Sequence, residues 1–60
     1  MTQQQIAILV ASKVNKETAD RYEIISVVRG ILSETAPVLS DDRDTIDSIL
    51  DKLFEMGYNS

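Results

Sequence analysis

The chain has 60 residues, 43% of them apolar, and a formal net charge of −4 with a pI near 4.4. That length makes one domain at most, over 1–60, and a domain this small buries only about 60% of the surface its unfolded chain exposes. There is no Cys and no His, so no disulfide, no zinc finger and no Cys–His, Ser–His–Asp or His-ligand chemistry can be built from one copy.

Small domains normally draw support from disulfides, a metal or a partner subunit. With the first excluded and only carboxylates left for the second, self-association or efficient helix packing remains. Charge is graded along the chain. Residues 1–16 hold Lys13 and Lys16 and no acid. Residues 17–35 hold Glu17, Asp20, Glu23 and Glu34 against Arg21 and Arg29. Residues 36–60 hold Asp41, Asp42, Asp44, Asp47, Asp51 and Glu55 against Arg43 and Lys52. The net sign argues against a general nucleic-acid binder, which carries a basic face. The longest purely apolar run, Ile6 to Ala11, falls well short of the roughly 20 residues of a membrane span. The residues before it lack the positive charge of a signal peptide. The expected setting is cytoplasmic, with no membrane contact.

The first predicted helix covers about 3–14. Thr2 followed three residues later by Gln5 is a capping-box pattern. Ile6, Leu9, Val10 and Val14 recur at helical spacing, and Ala7, Ile8 and Ala11 extend the apolar surface almost all round. A helix apolar on every side is buried on several, which suggests that a partner chain covers the extra face. Lys13 and Lys16 suit its C-terminal end through the helix dipole.

A break follows at Asn15-Lys16-Glu17-Thr18, where Asn15 or Thr18 is a candidate cap and Glu17–Arg21 an i,i+4 ion pair. The second helix is expected over about 19–34. Ile24, Ile25, Val27, Val28, Ile31 and Leu32 cover an arc of roughly 160°, enough for two neighbours. Gly30 beside that arc either permits close approach of another helix or is a weak point of about 1 kcal/mol. Pro37 ends the helix, and Val38 and Leu39 are expected to fold back onto the core.

The third helix is expected over about 41–56, started by Ser40, Asp41 or Asp42 and favoured by acid in its first turn. Ile46, Ile49, Leu50, Leu53, Phe54 and Met56 form a second arc of roughly 160°. Gly57 stands where a left-handed residue ends a helix, with Tyr58 placed to pack back on Leu53. The fold class is therefore all-α: three amphipathic helices with short, antiparallel connections. Pooling two cores in a symmetric homodimeric bundle is the economical way to cover the apolar faces. Ile6, Ile8, Leu9, Val10, Ile24, Val27, Val28 and Ile31 are the candidate interface.

Asp44, Asp47, Asp51 and Glu55 are spaced 3, 4 and 4 along the third helix. They form a candidate docking face for a basic partner or a mimic of nucleic-acid phosphates, although an ordinary solvated face has the same spacing. A calcium loop counted from Asp42 fails, with Ile46, Asp47 and Leu53 where oxygen, Gly and Glu belong. No metal or other cofactor is implied. Gln5-Ile6-Ala7 with Val14 to Arg21 resembles a helix-turn-helix, in which Lys13, Lys16 and Arg21 would contact DNA. Its turn is too long, and Asp20 and Glu23 would face phosphate. A chain this short offers little room for the desolvated pocket that paired catalytic carboxylates need, so no enzyme is expected.

Ile6-x-x-Leu9-Val10, a polar link, Ile24-Ile25-x-Val27-Val28, Ile31-Leu32-x-Glu34 and Ile49-x-x-x-Leu53 together resemble the small enterobacterial YmgB/AriR/YcgZ group. The resemblance spans about residues 6–54 and is one of helical spacing. The chain departs from the group in lacking a Gly in the first connection and a longer N-terminal extension. The resemblance implies a non-enzymatic homodimer acting in biofilm or stress-response regulation, through a signalling protein or DNA, and transfers no site residue. The leading expectation is a regulatory adaptor working by protein–protein contact. Two alternatives are a DNA-binding regulator and a phage accessory or inhibitor protein that uses its acidic helix face.

Overall fold

A computed structural model describes residues 2–58, and both ends of the expected 1–60 domain lie outside them. The order is α1 (Gln3–Lys13), α2 (Arg21–Thr35), a 3₁₀ turn at Pro37–Leu39, and α3 (Arg43–Glu55). The described residues contain no strand.

The first capping box forms as the sequence predicts. The Thr2 hydroxyl accepts from the Gln5 amide at 3.1 Å, and the Gln5 side chain accepts from the Thr2 amide at 2.8 Å. The α1–α2 connection departs from expectation. Asn15 does not cap a helix: its side chain accepts from the Glu17 amide at 2.9 Å, and its carbonyl accepts from Thr18 and Ala19. That closed turn buries Ala19 and delays the helix until Asp20, which accepts from the Glu23 amide at 2.7 Å as the N-cap. Glu17 therefore lies outside the helix, and no Glu17–Arg21 ion pair forms among the described residues.

α3 starts at Asp42, whose carboxylate is engaged by the Thr45 hydroxyl rather than by a backbone amide. Its end matches the predicted stop. Gly57 has φ 96°, Tyr58 N–H donates to the Leu53 carbonyl at 2.9 Å and Gly57 N–H to Phe54 at 3.0 Å, the paired bonds of a Schellman ending. The Tyr58 hydroxyl also donates to the Ala11 carbonyl at 3.1 Å. It thereby satisfies an end carbonyl of α1 and ties the chain's last described residue to its first helix.

α1 packs against both α2 and α3, and α2 packs against α3 and the 3₁₀ turn. The core comprises Ile6, Ala7 and Val10 of α1, Ala19, Ile24, Val28, Ile31 and Leu32, and Ile46, Ile49, Leu50 and Leu53 of α3. The Cα radius of gyration is 10.2 Å, against about 10 Å for a compact domain of this length. Three helices of one chain thus form a closed core.

This packing corrects two expectations and decides between the two readings of Gly30. The wide apolar surface of α1 is covered by α2 and α3 of the same chain, and only Ile8 is left largely outside, at 52% exposure. Val38 and Leu39 do not fold back: they are 92% and 37% exposed. Their backbone is spent on the 3₁₀ turn, with Leu39 N–H on the Ala36 carbonyl and Ser40 N–H on Pro37, and the helices have already covered the core. At Gly30 no other helix of the chain comes close, since a Cβ placed there meets nothing within 4 Å, so within one chain it is the weak point of α2.

Candidate functional site

The four carboxylates of the predicted docking face, Asp44, Asp47, Asp51 and Glu55, are all exposed. They run along one edge of α3 for roughly 16 Å, while the opposite edge supplies Ile46, Ile49, Leu50 and Leu53 to the core. Among the described residues none of the four takes part in an ion pair. Core packing fixes the helix backbone, so the four positions keep their places in the row.

The residues proposed for DNA contact are not brought together. Lys13 ends α1 and lines a shallow groove of about 270 Å³ with Val27, Gly30, Ile31 and Glu34 of α2. Lys16 lies in the connecting turn, its ammonium 5.9 Å from the centre of the Tyr58 ring and its chain end against Gly57. Arg21 opens α2 and lines a different groove. The segment Val14 to Asp20, read as the start of a recognition helix, is a turn. The Asn15 bonds and the burial of Ala19 hold it in that form.

The candidate dimer interface also divides. Ile6, Val10, Ile24, Val28 and Ile31 are interior to the single chain, Leu9 and Val27 are half-buried, and Ile8 is exposed. The first five cannot face a partner in this packing, because the helices that would have to move away are their own neighbours. Any self-contact of this fold has Ile8, Leu9 and Val27 to draw on from that set.

One concave feature was not anticipated. A groove of about 400 Å³ between α2 and the start of α3 is lined by Arg21, Ile25 and Arg29 on one wall, and by Asp41, Arg43, Ile46 and Asp47 on the other. All three arginines of the chain stand there. The only ion pair among the described residues is Arg29 Nη2 to Asp41 Oδ1 at 3.6 Å, between exposed groups. At that length it is not a hydrogen bond and contributes little. The spacing of Arg21 and Arg29 either side of Ile25 is readable in sequence, whereas the arrival of Arg43 opposite them is not.

Among the described residues no group of three or more metal-ligating side chains converges. No helix among the described residues is long and apolar enough to cross a membrane. Fold and surface together define a small all-α, three-helix protein. Comparison with known proteins finds no matching family model, and no curated protein or solved structure that matches.

Proposed function

We propose that the chain is a small regulatory adaptor that acts by occupying a partner protein, with no bond made or broken. The observation that supports this is the two-sided build of α3. One edge is locked into the core, and the other holds Asp44, Asp47, Asp51 and Glu55 in solvent with no ion-pair partner among the described residues. A preorganised row of like charge costs a little stability at each i,i+4 step. In return it offers complementary steering and register to a basic surface. Because the core closes within one chain, the folded single chain is sufficient to present the row. A homodimer, if formed, would build on Ile8 and its half-buried neighbours.

The test is affinity capture from native lysate with nuclease treatment, comparing the natural chain with the combined Asp47→Asn, Asp51→Asn, Glu55→Gln variant. A discrete protein recovered despite nuclease, and lost with the variant, is the expected result. Capture unchanged by the variant removes the docking role of the row. Recovery of nucleic acid alone removes the adaptor.

A further inference from the structure

We infer that the arginine groove binds an acidic amphipathic segment of a partner protein, one presenting two carboxylates on either side of an apolar side chain. Arg21 and Arg29 stand two helical turns apart on α2, about 12 Å along its axis, with Ile25 midway between them. Arg43 and Ile46 enter from the α3 wall. Along α2 the groove therefore reads as cation, apolar step at Ile25, cation, and the other wall sets Arg43 beside the carboxylates Asp41 and Asp47. Among the described residues Arg21 and Arg43 have no ion-pair partner, and Arg29 has only the 3.6 Å contact with exposed Asp41. A ligand displaces that contact at little cost. Guanidinium groups grip carboxylates through paired N–H donors and lie flat on apolar surface, so these residue types suit such a segment.

The same groove disfavours other occupants. One small anion fills only part of a groove whose α2 arginines stand about 12 Å apart along the helix axis. A dense polyanion such as nucleic acid carries phosphates past the arginines onto Asp41, Asp47 and a chain of net charge −4, whereas a segment with two spaced carboxylates need meet only the arginines. A second copy offers Asp47, Asp51 and Glu55 at the spacing of Arg21, Ile25 and Arg29, but that register sets the Asp51 carboxylate against Ile25. Desolvating a charge on an apolar side chain is unfavourable. A leucine-like residue at the middle position removes the conflict.

The inference does not rest on the acidic row of α3: its test substitutes Arg21 and Arg29 and leaves Asp47, which belongs to the row and also lines the groove, unchanged. The full chain, isotope-labelled, is titrated with a stapled helical peptide carrying two glutamates two turns apart with a leucine midway. Saturable amide shifts at 21–29 and 43–47 are expected, with affinity falling as salt rises. Arg21→Gln and Arg29→Gln should each weaken binding about fivefold. Both side chains are exposed, so an unchanged circular dichroism spectrum separates lost binding from lost fold. Absence of saturation at millimolar peptide, or shifts confined to other surfaces, overturns the proposal. So does equal binding of a peptide with lysines for the glutamates or serine for the leucine, or of a short oligonucleotide. Groove shifts driven by protein concentration alone would overturn it by identifying a second copy as the occupant.

Discussion

The two glycines of this chain should respond with opposite sign to the same substitution. Gly30 lies inside α2, and a Cβ added there meets nothing within 4 Å. Alanine at that position reduces the freedom of the unfolded chain and restores helix propensity, a gain of about 0.5–1 kcal/mol. Gly57 has φ 96°, and its added Cβ would lie 2.6 Å from Lys16 Cε. The lysine end can swing aside at the expense of its place over the Tyr58 ring. The backbone cannot leave the left-handed region without breaking the Tyr58–Leu53 and Gly57–Phe54 bonds, so Gly57→Ala should cost about 1–2 kcal/mol. The unfolding entropy of a chain this size is roughly 0.13 kcal/mol/K, so each 1 kcal/mol moves the midpoint by about 8 °C. Thermal and urea unfolding followed by circular dichroism should therefore place Gly30→Ala about 4–8 °C above the natural chain and Gly57→Ala about 8–16 °C below it. A Gly30→Ala chain that is no more stable would refute the reasoning. It would mean that something presses on that face of α2 in solution, and a midpoint rising with protein concentration would identify it as a second copy.

Tyr58→Phe removes the hydrogen bond from Tyr58 to α1 and leaves the Ala11 carbonyl to water, which should lower stability by about 1 kcal/mol in urea unfolding. Leu53→Ala opens a cavity at a fully buried position of α3, at a cost of about 2–5 kcal/mol. A core this small supplies about 3–5 kcal/mol in total, so the variant should show little helical signal at room temperature. Val38→Ser should change stability by less than about 0.5 kcal/mol in the same assay, because Val38 is almost wholly in solvent. The combined Asp47→Asn, Asp51→Asn, Glu55→Gln variant should be at least as stable as the natural chain in low salt, through relief of the i,i+4 repulsions. A loss of partner capture by that variant would then not reflect unfolding.

Local signals in this chain were strong wherever one residue answers one backbone need. Thr2 with Gln5, Pro37 and Gly57 each mark a helix end through hydrogen-bonding capacity or accessible φ, and all three ends stand within a residue or two of where they were expected. Signals failed where several residues compete for one role. Asn15, Thr18 and Asp20 can all cap α2. Asp20 takes that role because Asn15 closes a turn that lets Ala19 reach the core.

The amino-acid sequence alone determined that there are three helices, which face of α2 and α3 is apolar, and that the carboxylates of α3 share one edge, because periodicity and capping are local properties of the chain. It could not determine what covers those faces. An apolar arc has the same width whether the neighbour is another helix of the same chain or a second copy, and only the tertiary structure assigns Ile6, Val10, Ile24, Val28 and Ile31 to the interior of one chain. The grouping of Arg43 with Arg21 and Arg29 is of the same kind. It joins residues far apart in sequence, and only the packing of α3 against α2 brings them to one groove.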